Sequence, residues 1–422
     1  MLQSIMLNRL ESFGDRRLNC LTVLMYDYLI IGGGIVGCSV AWQLQQEKPA
    51  ARIALLEKEA AWSAHQTGHN SGVVHAGIYY APGSLKADFC RQGNAQTLAF
   101  CRQHGVPVQV TGKLLVATSA GELPRMQALY QRSQQLQLNA TLIDADELHR
   151  LEPAIAGVGA IRVPSSAITD YPAITQKMAA LFEQAGGHAL RGVQVCALHE
   201  RPDAITVQTS QGEFTTRHLV ACAGIQADRI AAMSGLAADF AMLPFRGEYY
   251  RLHARHNTIV QHLIYPIPDP ALPFLGVHLT RMIDGSVTVG PNAVLSLARE
   301  GYAKLAFNAQ DTLDMLRFKG FWPLMRQHFK TSLPELKNSL YKRGYLALCQ
   351  RYCPSLALAD LQPMACGIRA QAVSANGQLI HDFLIKETAR SLHLCNAPSP
   401  AATSAIPIGQ HIVQRLLAKT SP

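Results

Sequence analysis

The chain has no run of about 18 apolar residues, so nothing in it reads as a bilayer-spanning helix. It has no C-x-x-C pair among its 10 cysteines. Several cysteines sit in apolar surroundings, as Cys222 does between Leu219 and Ala223, and Cys38, Cys90, Cys101, Cys366 and Cys395 read the same way. That usage fits reduced buried thiols and excludes a disulfide framework. Cys349 and Cys353 lie four apart on an expected helix without further His or Cys ligands nearby, so no metal site is expected there. Charged residues make up only 16% against 48% apolar, which excludes a disordered chain. No internal repeat and no low-complexity tract occurs. The net charge is +9, yet no dense Lys/Arg run carries it. A scattered basic balance favours small anions or a membrane surface over nucleic acid, and no nucleic-acid partner is expected. Residues 1–24 lack a clean apolar core and a cleavage motif, so they make a poor signal peptide. They could form a surface helix or a weak organelle signal. The favoured reading is translation from a start upstream of Met25, which opens the first strand.

What is present begins at that strand. Tyr26 to Ile31 reads as a strand that enters Gly32-Gly33-Gly34-Ile35-Val36-Gly37, and a second short strand, Arg52 to Leu56, ends on Glu57. This is the layout of a dinucleotide-binding βαβ unit. Gly32 permits the tight turn, Gly34 a close backbone approach to a pyrophosphate, and Gly37 close packing of helix on strand. The helix N-terminus then offers N–H groups to phosphate, and Glu57 accepts from a ribose diol. A bound dinucleotide and a redox enzyme follow as expectations.

A length of 422 residues points to two lobes. Helices are expected to about Glu47, over 84–104, 121–137 and 172–186, through most of 302–350, and from Thr403 to about Ala418. Residues 61–82, rich in Gly, His, Asn and Ser, read as a loop held by something else. Val193 to Leu198, Ala204 to Thr209 and Gly212 to Thr216 alternate with period two and form a small antiparallel meander. Further strands are expected within 113–118, 218–224, 243–292 and 362–396. Asp144 and Asp146 open a helix, where N-capping accounts for them. A second phosphate-side turn, Ala221 to Gly224, lies far from the first, and a third runs from Leu392 to Thr403. A sheet assembled from three separated segments suits FAD better than a nicotinamide cofactor.

The chain resembles the glycine/D-amino-acid oxidase superfamily of flavoproteins and, more closely, the L-2-hydroxyglutarate dehydrogenase family. The stretches that carry the resemblance are His65–Tyr80, Pro244–Tyr250, Tyr265–Pro270, Leu275–Arg281, Gly290–Ala293, Gly367–Gln371 and Asn396–Ala401. The leader departs from the usual pattern, and no motif maps onto 302–350. The resemblance implies a two-domain α/β (α+β) fold: a Rossmann-like FAD domain with parallel sheet and β-meander, and a substrate domain with a mixed or antiparallel sheet. The expected division is an N-terminal extension (1–24), a discontinuous FAD-binding domain (25–105, 155–235 and 355–422) and a substrate-binding domain (106–154 and 236–354). It implies FAD-dependent oxidation of L-2-hydroxyglutarate to 2-oxoglutarate, with electrons passed to a membrane quinone. A cytoplasmic enzyme peripherally associated with the inner membrane is the matching location.

Oxidising a 2-hydroxy acid needs a hydride acceptor, a base for the hydroxyl proton, and cations for the carboxylates. His75 is the first candidate for the base, because His75-Ala76-Gly77 resembles the His-Gly-Gly turn of related glycerol-3-phosphate dehydrogenases. The alternative is that His75 only hydrogen-bonds cofactor or loop backbone. His278, on a substrate-domain strand, is the rival. Arg369, Arg246 and Arg281 are the carboxylate candidates, each against an ion pair or a solvated strand face; Arg369 also faces flavin in the superfamily. Tyr79 or Tyr80 reaches the pocket, with Tyr80 preferred. His65 and His69 share a loop, and no metal is expected on them. Cofactor contacts are expected from Gly32, Gly34, Ile35, Val36, Gly37, Glu57, Lys58, Thr67, Gly68, Asn70, Ser71, Gly72, Val195 (through its backbone to adenine), Ala223, Gly224 and Arg369. Pro398, Ser399, Pro400, Ala401, Ala402 and Thr403 should bring the last helix N-terminus to the flavin pyrimidine edge. Two other readings compete: an oxygen-using oxidase of an amino acid or other 2-hydroxy acid, and a flavin-binding structural or tRNA-modifying partner.

Overall fold

The computed structural model describes residues 25–237, 239–269, 276–328, 339 and 341–420. The extension 1–24, and Pro270 and Leu275 of the quoted motifs, lie outside the described residues.

β1 (Met25–Ile31) runs into α1 (Ile35–Glu47), and β2 (Ile53–Glu57) follows. Pro49 stops α1, since proline removes a helical N–H. β1 pairs in parallel with β2 on one side and with Gly212–Ala221 on the other. His188–Arg191 extends the sheet beyond β2, and Ser391–Asn396 joins Gly212–Ala221, both in parallel. Val195–Glu200 and Ile205–Thr209 complete the expected antiparallel meander with Gly212–Ala221. The sheet therefore draws on an early, a middle and a late stretch of chain. Parallel strands buried on both faces read as continuous apolar runs, as β2 does, with all five residues buried. α1 packs against the helices Tyr171–Gln184 and Ala405–Thr420. Ile35, Val40 and Leu44 of α1 sit in that core, each contributing roughly 1.5–3 kcal/mol by burial.

A second sheet is mixed. Its order is Leu361–Pro363, Tyr250–Leu252, Val287–Gly290, His278–Arg281, Leu263–Pro266, Lys113–Ala117, Gly159–Val163 and Thr141–Ile143. Only Leu263–Pro266 with Lys113–Ala117 is parallel. Gly159–Val163, within the segment the expected division gives to the FAD domain, pairs here. Phe240–Gly247 and Gly367–Ser374 form a long antiparallel pair, with Phe245 opposite Arg369. Helices occupy Ala309–Arg317 and Lys342–Gln350. The polar helix is Leu123–Gln135, after a short 3-10 turn, and Asp144 caps its own helix by accepting from Glu147 N at 2.8 Å. The last helix starts at Ala405 rather than Thr403. Thr403 is engaged outside it, its hydroxyl accepting from His75 N at 3.1 Å and lying 2.9 Å from Tyr171 OH.

Candidate active site

The glycine elbow is fixed by contact. Gly32 has φ +106°, and a Cβ there would lie 2.4 Å from Cys222 O. A Cβ on Gly37 would lie 1.8 Å from Gly32 O, so helix and turn meet only because Gly37 has no side chain. The N-cap residue of α1, Gly34, has no side chain to cap it. Its first N–H, at Ile35, donates to Thr67 Oγ1 at 3.1 Å, and the α1 N-terminus opens onto a cavity. Glu57 is buried at the end of β2, accepting from Gly33 N at 2.6 Å and Glu59 N at 2.9 Å.

The cavity measures about 800 Å³. Gly32, Gly34, Ile35, Val36, Glu57 and Lys58 line it, as do Thr67, Asn70, Ser71, Val195, Ala223 and Gly224, and Ser399 to Thr403. Gly37, Gly68, Gly72 and Pro398 are not part of its wall. Gly37 and Gly68 instead pack against backbone, and Gly72 takes φ +66° beside Thr169 O. Asn70 shapes the loop from within, donating to Thr67 O at 2.6 Å and accepting from Gly72 N at 2.8 Å.

His75, His278, Tyr249, Tyr265 and Arg369 line the same cavity. His75 leaves the short strand Val73–Val74, which pairs with Ala167–Thr169. Its carbonyl accepts from Asn94 Nδ2 at 3.1 Å, and its ring Nδ1 lies 3.5 Å from Lys113 Nζ. Burial, then the Lys113 and His278 charges, hold the His75 imidazole well below its ordinary range, which keeps it neutral. His278 stacks on Tyr265 with centroids 3.9 Å apart, its Nδ1 donating to Gly276 O at 3.1 Å. Burial pushes His278 down to about 3. Tyr265 hydroxyl hydrogen-bonds Ser71 and Thr280. Lys113 is 2% exposed, its Nζ 4.0 Å over the Tyr265 ring, and burial pushes it down to about 7.

The three arginines separate. Arg369 lines the cavity and also a second one of about 470 Å³, which Tyr79 and Tyr80 share. Burial lowers the Arg369 pKa. Arg246 does not line either cavity. Its strand neighbours Phe245 and Gly247 do, so period-two alternation sends Arg246 to the other face, where it pairs with Glu248 at 3.1 Å and donates to Lys304 O. Arg281 likewise alternates away from His278 and donates to Gln261 Oε1 at 3.1 Å. Lys58 is drawn into a polar knot on the cavity wall. It pairs with Glu59, reaches Glu300 at 2.9 Å and lies 2.9 Å from His65 Nε2. Glu59, His65 and Glu300 could converge on a metal, but the Lys58 ammonium already supplies a cation there.

A family model described as FAD dependent oxidoreductase matches residues 27–415. L-2-hydroxyglutarate dehydrogenase of Escherichia coli K12 is 56% identical over 401 residues, covering 94% of this chain and 95% of that protein. The human mitochondrial L-2-hydroxyglutarate dehydrogenase is 38% identical, covering 93% and 88%. The chain belongs to the L-2-hydroxyglutarate dehydrogenase family. The fold matches that of Mycoplasma pneumoniae L-α-glycerophosphate oxidase, solved with FAD bound, at TM-score 0.77 and 22% identity over 93% of this chain and 95% of that one.

FAD is the cofactor of this dehydrogenase family, and the cavity fits it. Its wall carries the right groups: a buried carboxylate to accept from a ribose, the α1 N-terminus to face a pyrophosphate, and the Ser399–Thr403 turn for a ring edge. Two buried polar atoms of the loop, Ser63 Oγ and Gln66 Nε2, have no hydrogen-bond partner among the described residues, which suits a polar ligand alongside. Among the described residues no helix is long and apolar enough to cross a membrane. Sequence reasoning missed Lys113, Tyr249, Tyr265 and Lys86. Lys113 had a signal, a charge opening the otherwise apolar strand Lys113–Ala117; the tyrosines lay in quoted motifs without a role.

Proposed function

We propose that the chain oxidises L-2-hydroxyglutarate to 2-oxoglutarate. FAD, when bound, supplies the acceptor for the hydride that leaves C2. The observation that carries this reading is a neutral histidine, His75, on a cavity that Arg369 also lines. His75 takes the C2 hydroxyl proton, and Arg369 holds the neighbouring carboxylate through its planar fork. His75 Nδ1 faces Lys113, so Nε2 is the atom left for the substrate. With Lys113 as a neutral amine, Nδ1–H donates to it and Nε2 keeps its lone pair. His278, stacked on Tyr265 and bonded through Nδ1 to a carbonyl, serves as a wall of the pocket. Arg246 and Arg281 serve structure rather than substrate.

We propose further that electrons leave for a membrane quinone through peripheral contact with the inner membrane. The net charge of +9 supports contact with an anionic surface. The division into FAD-binding and substrate-binding domains enters the same proposal, the first holding cofactor and the second closing over substrate.

The test is a visible spectrum of the purified protein and a dye-linked assay against 2-hydroxy acids of both hands. A flavin spectrum with selective turnover of L-2-hydroxyglutarate is expected. Peroxide release with an amino acid would move the chain to the oxidase reading, and a colourless protein that FAD cannot reconstitute would end both.

A further inference from the structure

Arg369 stands between two cavities. The larger holds the cofactor-side residues, and the smaller, about 470 Å³, meets it at Arg369, Ala370 and Ser399. The smaller cavity is basic, with Lys86, Arg125 and Arg132 on its wall beside Arg369 and, among the described residues, no Asp or Glu lining it. These cations are not equivalent. Arg125 Nη1 is already paired with Asp269 at 3.0 Å. Arg132 is exposed and donates to Tyr79 O at 3.4 Å.

Lys86 differs from both. It is half-buried, its Nζ lies 5.1 Å from the Tyr80 ring centre, and it donates to His381 O at 3.1 Å. Among the described residues it forms no ion pair. It also sits in the first turn of the helix Leu85–His104, where the helix dipole disfavours a cation. Burial lowers its pKa, Asp382 raises it and Arg369 lowers it again, so two poorly solvated cations sense one another. An anion that spans both groups would interact favourably with each of them.

We propose that Lys86 binds the distal carboxylate of a five-carbon 2-hydroxy diacid whose C1 carboxylate lies on Arg369, and so selects dicarboxylates over monocarboxylates. This rests on the proposed oxidation of L-2-hydroxyglutarate, and it adds what tells the diacid from a 2-hydroxy acid of equal length lacking the second charge. Tyr80 forms the apolar floor between the two cations, and Arg132 assists capture from solvent.

The experiment uses the FAD-loaded enzyme with L-2-hydroxyglutarate and L-2-hydroxyvalerate, which lacks only the distal carboxylate. Lys86→Met should raise KM for the diacid about 10- to 100-fold, the scale of a lost hydrogen bond to a charged group. The preference in kcat/KM for diacid over monoacid should fall by a similar factor, and Lys86→Arg should restore most of it. Equal losses on both substrates, or an unchanged preference, would overturn the assignment. The unmodified enzyme gives an independent measure: glutarate should compete at least about tenfold more tightly than valerate, and equal competition would also overturn it. If the unmodified enzyme turns over neither hydroxy acid, the proposed function fails, whereas turnover without dicarboxylate preference removes Lys86 alone.

Discussion

His75 Nδ1 lies 3.5 Å from Lys113 Nζ, and among the described residues neither group pairs with a carboxylate. The proton between them decides which ring nitrogen of His75 is available. A charged Lys113 donates to Nδ1 and leaves the ring proton on Nε2, where it blocks base catalysis. A neutral Lys113 accepts from Nδ1–H and frees Nε2. The pair titrates together, His75 losing its proton well below 6.5 and Lys113 near 7, because burial disfavours both cations.

The acid limb of kcat/KM should therefore follow Lys113, with activity rising as pH passes about 7. Lys113→Met removes that requirement. It also removes a repelling charge, so His75 moves up, but burial is the larger cause of its depression and remains. The limb in Lys113→Met should then fall below 6.5. A pH profile with its limb unmoved near 7 would rule the coupling out.

His75→Asn should lower kcat by about 10²- to 10⁴-fold, the usual contribution of a positioned base. The flavin spectrum should persist, since the His75 backbone, not its ring, holds Thr403 and Asn94. Full turnover in this variant would transfer the base to His278.

Much of this was legible in the sequence because period and spacing are local signals. The glycine elbow, Glu57 and the meander follow from residues within one βαβ unit or one hairpin. The three-segment sheet was legible because buried parallel strands read as apolar runs wherever they fall. The separation of Arg369 from Arg246 and Arg281 was not. Each sits in a strand with a comparable pattern, and only the register of Phe245 opposite Arg369 tells which face meets the cavity. Lys113 and Lys86 were missed for a related reason: a lysine in sequence carries no mark of which charges it will be buried beside.

Gly37→Ala tests the cofactor cradle. The added Cβ would stand 1.8 Å from Gly32 O, a backbone atom that cannot rotate away. The elbow must open, and the pyrophosphate loses the close approach of turn and helix. The purified variant should be colourless, or retain FAD with affinity reduced by at least about tenfold. Normal flavin content would show that the elbow does not hold the cofactor.

Stability should fall on acidification through a residue remote from the cavity. His393, in the strand Ser391–Asn396, is 1% exposed, and its Nε2 lies 2.8 Å from Ser391 Oγ. Burial, assisted by the Lys419 charge, lowers its pKa from 6.5 to about 4. Between those values the unfolded chain binds more protons than the folded one, so stability is complete above 6.5 and drains away as pH falls towards 4. At about 1.4 kcal/mol per unit, this group accounts for at most roughly 3 to 4 kcal/mol across the window. His393→Asn keeps a hydrogen-bonding amide near Ser391 but cannot titrate. Denaturant unfolding at pH 7.5 and 4.5 should show a smaller pH difference in the variant than in the parent. The same difference in both would mean that His393 is protonated as readily in the fold as outside it, and that acid sensitivity arises at the other buried histidines.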